Sequence, residues 1–147
     1  MMAESRAKAV WEGDLASGSG RVGVSSGAFP ELPVTWAART NRPDPKTSPE
    51  ELLAGAHAAC YAMAFAHTLA TAGHPPERLS VEAVAQFTPV EGGGFEVGSM
   101  ALHVHGRVPG IDQAGFEGWA RDGEQGCPIS NAIRGNVAIS LTATLEE

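Results

Sequence analysis

The sequence predicts an α+β fold in which antiparallel sheet packs with one long buried helix, and three observations carry that reading. Ser48-Pro49-Glu50-Glu51 supplies an N-cap, a proline at the first helical position and a glutamate three residues after the cap. An Ala- and Leu-rich run follows to about Ala72, broken only by Gly55. Further along, three segments alternate apolar and polar residues with the period of a half-buried strand. The 147 residues carry no internal repeat and no credible linker, so 1–147 reads as a single domain.

Ala7–Trp11 and Arg21–Ser25 are strand-like and separated by Glu12-Gly13-Asp14 and a Gly/Ser tract, which suggests a hairpin. Val34–Ala38 is a third strand candidate, entered through Pro30 and Pro33, and Arg39–Thr47 reads as a loop. The helix opened by Ser48 is apolar around most of its circumference, so it should be buried, and Gly73 and Pro75 stop it. Val81, Ala83, Ala85 and Phe87 form one strand face, and Met100, Leu102 and Val104 form the next after a Gly92-Gly93-Gly94 turn, antiparallel to the first. Asp112 caps a helix bearing Phe116, Trp119 and Ala120, Cys127-Pro128 opens a short one, and Val137 to Leu145 alternates as a last strand.

A formal charge of -7 argues against nucleic acid or an anionic membrane surface as partner. No uninterrupted apolar run approaches the roughly 20 residues of a membrane helix, and the start of the chain has no secretory pattern, so the cytoplasm is the expected compartment. Two cysteines are too few for a disulfide scaffold, which leaves catalysis, redox sensing or metal binding.

Cys60 lies mid-helix, where a free cysteine is often a small core hydrophobe. Cys127 precedes proline at a helix start, where unsatisfied backbone N–H groups favour a thiolate, so local physics alone makes it the better nucleophile. His57 falls one turn from Cys60 and reads first as a hydrogen-bonded core or interface histidine, as does His67. His103 and His105 share a strand face opposite the apolar one and read as exposed, with no obvious third ligand for a metal. Met63, Phe65 and Trp36 read as core or pocket walls. No phosphate loop, dinucleotide fingerprint or serine-hydrolase elbow is present.

Ser48–Cys60, with its Ala-His-Ala-Ala-Cys ending, and Gly126-Cys127-Pro128-Ile129-Ser130 resemble the OsmC/Ohr family of organic hydroperoxide reductases. Trp11-Glu12-Gly13-Asp14 and Val108-Pro109-Gly110-Ile111-Asp112 extend the likeness over nearly the whole chain, to the osmotically inducible OsmC branch. The resemblance implies an intertwined two-fold dimer and a peroxidase acting on organic hydroperoxides and hydrogen peroxide. Cys60 would be oxidised to a sulfenic acid, Cys127 would resolve it as a disulfide, and an external dithiol of lipoyl type would recycle the pair without a bound cofactor. It also implies an activating arginine held by a glutamate, which fall on Arg39 and Glu50, with Arg21 as the alternative arginine.

Helix geometry sharpens that assignment. At about 100° per residue, Glu50 lies about 80° from Cys60 around the helix and Glu51 about 180°, so Glu50 suits the site and Glu51 the capping box. Ten residues at roughly 1.5 Å each put about 15 Å between Glu50 and Cys60 along the axis, too far for one arginine to touch both. The expected solution is a site shared across the dimer axis, Arg39 and Glu50 of one subunit serving Cys60 of the other. A metal-binding protein and a non-catalytic stress or ligand-binding protein are the competing readings.

Overall fold

The computed structural model describes residues 1–41 and 46–147, so part of the loop expected over 39–47 lies outside the described residues. Backbone packing divides the chain into two units, Met1–Leu52 and Leu53–Glu147.

In the first unit, β1 (Ala7–Glu12), β2 (Ser19–Val24) and β3 (Leu32–Val34) form an antiparallel sheet in that order. Gly20 on β2 is required by packing, since a Cβ there would lie 2.5 Å from the Val10 carbonyl oxygen and 2.9 Å from the Trp11 ring. The strand expected over Val34–Ala38 is corrected: β3 ends at Val34, because Thr35 turns the chain into α1 (Trp36–Thr40) by accepting the Ala38 N–H on its hydroxyl at 3.2 Å. Arg39 therefore stands in the last turn of a helix rather than in a loop. Every residue of β1 is exposed.

The helix α2 (Pro49–Thr71) starts where the sequence places it, with Ser48 Oγ accepting the Glu51 N–H at 3.1 Å. The Glu51 carboxylate accepts from the Thr47 hydroxyl at 2.8 Å. By length and composition alone α2 is apolar enough to cross a bilayer, contrary to the expectation that no apolar run approaches that length. Its burial also differs from expectation. His57, Tyr61, Phe65 and Leu69, spaced by four, are wholly covered, whereas Gly55, Ala59, Met63 and His67 on the opposite face are exposed, Met63 at 68%. One chain supplies packing for only one side of the helix.

In the second unit, β4 (Arg78–Pro89) and β5 (Phe95–Arg107) pair antiparallel, and β6 (Ala138–Leu145) lies beside β5 in parallel. The antiparallel sheet expected for β4 and β5 is present, and β6 makes it mixed. A parallel neighbour needs a crossover, and α3 (Gln113–Gln125) and α4 (Pro128–Ile133) provide it. Gln113 ties α3 to the β6 edge, donating to the Ala143 carbonyl at 2.8 Å and accepting the Leu145 N–H at 2.7 Å. Met100, Leu102 and Val104 of β5, Phe116 and Ala120 of α3, and Tyr61, Phe65 and Leu69 of α2 make the core. Each large apolar side chain so covered contributes about 1.5–3 kcal/mol. Phe65 packs on Tyr61 and Phe116 at centroid distances of 5.7 and 5.1 Å, and the Tyr61 hydroxyl donates to the Ala120 carbonyl at 3.0 Å.

Candidate active site

The chemistry-bearing residues fall into two groups, one in each unit. In the first, Arg39 Nη2 donates to Glu50 Oε1 at 2.6 Å, and Arg39 Nε donates to Oε1 and Oε2 at 3.2 and 3.3 Å. This forked contact fixes the plane of the guanidinium. The Glu50 side chain is 2% exposed and that of Arg39 30%. Glu50 sits in the first turn of α2, where the helix dipole also favours a carboxylate. One turn before Arg39 on α1, the Trp36 ring lies 5.6 Å from its guanidinium carbon, within cation–π reach. Trp11, Leu15, Val34 and Trp36 wall a cavity of about 280 Å³ that opens on Arg39. A larger hollow of about 750 Å³, between Glu4–Ala7 and Val24–Phe29, is lined by neither cysteine. Arg21, the alternative arginine, pairs instead with Glu31 at 3.3 Å on the surface.

The second group holds the cysteines. Both are free thiols, and Cys127 Sγ lies 3.4 Å from Cys60 Sγ, although 67 positions separate them. Cys127 is wholly buried and Cys60 partly so. Cys127 is the N-cap of α4, its sulfur accepting the Ser130 N–H at 3.5 Å, the helix-start setting its Cys-Pro sequence suggests. Burial pushes the Cys60 thiol above its ordinary pKa, the Ile129 N–H pulls it down, and the neighbouring Cys127 sulfur pushes it up again. The sulfur thus meets α4 backbone as well as its partner cysteine, a stabilising donor that the sequence does not advertise.

His57, on the Cys60 face of α2, is within 2.7 Å of Ser130 Oγ through Nε2, and both residues are fully buried. Its Nδ1 has no partner among the described residues. Burial lowers the His57 pKa, the Glu124 carboxylate raises it, and Arg134 lowers it. Those two charges pair with each other, Arg134 Nη2 donating to Glu124 Oε1 at 2.7 Å. Reading the sequence misses Ser130, Glu124 and Arg134. Ser130 could have been found, because an N-cap side chain accepts from the residue three positions on. Glu124 and Arg134 carry no pattern beyond ordinary helix charges. His105 is exposed and His103 partly so, and no group of three or more His, Cys, Asp or Glu among the described residues could hold a metal ion.

Two thiols in contact are suited to forming and breaking a disulfide. The OsmC-like protein family model matches residues 42–142. Peroxiredoxin OsmC of Escherichia coli (strain K12) is 33% identical over 139 residues, covering 95% of this chain and 96% of that protein. An organic hydroperoxide resistance protein of Xanthomonas axonopodis pv. citri is 32% identical over 97 residues, covering 65% of this chain and 66% of that protein. Among solved structures, the organic hydroperoxide resistance protein OhrB of Bacillus subtilis superposes with a TM-score of 0.75 at 25% identity, covering 96% of this chain and 98% of that one. With a family model matched over residues 42–142 and a relative 33% identical along 95% of its length, the chain belongs to the OsmC-like protein family.

Proposed function

We propose that the protein is a two-cysteine thiol peroxidase that reduces organic hydroperoxides. The observation that carries this reading is the 3.4 Å contact between the two free thiols, which are the sequence's only cysteines. The Cys60 thiolate attacks the terminal peroxide oxygen; an S–O bond forms, the O–O bond breaks, and the alkoxide leaves as alcohol after taking a proton. Cys60 is then a sulfenic acid. The Cys127 sulfur attacks it, an S–S bond forms, the S–O bond breaks, and hydroxide departs as water with the thiol proton. An external dithiol, lipoyl-type in this reading, returns two electrons by two exchange steps. Hydrogen peroxide is the smaller substrate of the same site.

Burial opposes the Cys60 thiolate, so a cation is needed beside it. Arg39, oriented by Glu50, is that cation, and it also donates to the peroxide oxygens as charge develops. Ten residues of helix between Glu50 and Cys60 favour delivery by a second copy of the chain. The exposed α2 face at Gly55, Ala59 and Met63, and the uncovered β1, are surfaces such a copy would cover. The two units of each chain then act as one domain of a homodimer. The cytoplasm, which keeps thiols reduced, is the fitting compartment.

The test follows cumene hydroperoxide consumption with dihydrolipoamide as reductant. Wild type turns over, Cys60→Ser does not, and Cys127→Ser forms one sulfenic acid per chain without disulfide. Normal turnover by both single variants rejects the mechanism.

A further inference from the structure

The pair His57–Ser130 lies outside the four residues assigned above, yet it joins the two elements that carry the cysteines. His57 precedes Cys60 by three residues on α2, and Ser130 follows Cys127 by three on α4. Residues three apart on a helix share a face. The two helices are therefore linked by two adjacent rungs, the thiol contact at 3.4 Å and the His57–Ser130 hydrogen bond at 2.7 Å. Ser130 also binds the resolving sulfur directly, through its N–H at 3.5 Å. A single residue thus holds Cys127 with its backbone and α2 with its side chain.

We propose that His57 and Ser130 are positioning residues that hold Cys127 in register with Cys60 for the resolving step. The inference rests on the peroxidase reading above. During turnover the two sulfurs must first admit an oxygen on Cys60 and then close to about 2.0 Å in the disulfide. Cys127 caps a helix of only six residues, too short to hold its place without tertiary contacts. A buried hydrogen bond one turn away keeps Cys127 aimed while the distance changes. The bond is chosen for placement rather than charge. Desolvation favours the neutral imidazole, with the buried Glu124 carboxylate and its partner Arg134 acting in opposite directions on the ring. A neutral ring donating from Nε2 to Ser130 Oγ leaves Nδ1 as a bare acceptor, consistent with its having no partner among the described residues. The reaction served is the attack of Cys127 on the Cys60 sulfenic acid, in which the S–S bond forms, the S–O bond breaks and water leaves. A sulfenic acid left waiting is open to a second peroxide molecule, which oxidises it to sulfinic acid while being reduced to alcohol.

The experiment is a peroxide pulse on fully reduced protein, with cumene hydroperoxide and mass-spectrometric counting of sulfenic, disulfide and sulfinic forms over time. Ser130→Ala should form the sulfenic acid at the wild-type rate, close the disulfide about tenfold more slowly, and accumulate sulfinic acid. Ser130→Thr, which keeps the hydroxyl, should restore the wild-type partition. Should Ser130→Ala not fold, His57→Asn ends short of Ser130 and His57→Gln keeps an amide at the reach of Nε2, giving the same contrast. Wild-type resolution in Ser130→Ala or His57→Asn overturns the proposal, as does equal slowing of both steps, which would indicate general loosening. A wild-type protein that forms no disulfide at all rejects the peroxidase reading itself.

Discussion

Arg39 and Glu50 are a pair whose members have unequal access to water, and this inequality shapes what each does. Glu50 is nearly covered and held at a helix start, so its carboxylate is a fixed anchor, whereas Arg39 is partly open to solvent. Burial drives the Cys60 thiol upward, and for an acid whose ionised form is penalised a nearby cation acts in the opposite direction. If Arg39 is the cation beside Cys60, as proposed, removing it moves thiolate formation to higher pH. In a Cys127→Ser background, Arg39→Ala should slow iodoacetamide alkylation of Cys60 near neutral pH about tenfold and displace its pH profile upward. An unmoved profile would mean that Arg39 leaves the thiolate untouched. At this scale the sequence was legible where a local rule binds the residue. The Ser48 cap and the Cys127 sulfur facing a helix-start N–H follow from spacing alone. The Ser130–His57 bond joins positions 73 apart, and nothing local announces it.

Elements with strong periodicity stand close to where the sequence puts them, with β4, β5 and β6 reading directly from alternation. What alternation cannot supply is the direction of a neighbour. The same apolar stripe fits a parallel or an antiparallel partner, and the α3–α4 crossover decides it for β6. The length of β3 was overread for a related reason, since Thr35 as a cap outweighs the strand-like look of Val34–Ala38. Close packing of elements imposes its own residue choice. A Cβ on Gly106 of β5 would lie 2.5 Å from Phe116 Cζ and 2.8 Å from Leu79 Cδ2, inside the core. Gly106→Ala should cost about 1–3 kcal/mol by overpacking, read as a lower denaturant midpoint. An unchanged midpoint would show that Phe116 and Leu79 move aside freely.

At the level of the whole molecule, the apolar composition of α2 foretells burial, but a single chain covers only the His57–Leu69 stripe. The discrepancy is informative because the sequence states how much apolar surface must be covered and says nothing of which molecule covers it. If a second copy does, Arg39→Ala and Cys60→Ser chains mixed and reassembled should form heterodimers that each contain one complete site. About a quarter of wild-type turnover is expected from random mixing of two inactive parents. Mixtures as inactive as the parents would place Arg39 and its Cys60 in the same chain.

The unequal burial of the two sulfurs gives regeneration a direction. Cys127 is fully covered and Cys60 is not, so an incoming thiolate meets the oxidised pair from the Cys60 side. In the proposed cycle the first mixed disulfide would form on Cys60, with Cys127 as the leaving group, released beside the Ser130 N–H that its sulfur accepts. Under the proposed mechanism the same sulfur would face the peroxide in one half of the cycle and the reductant in the other, while Cys127 would exchange electrons only with Cys60.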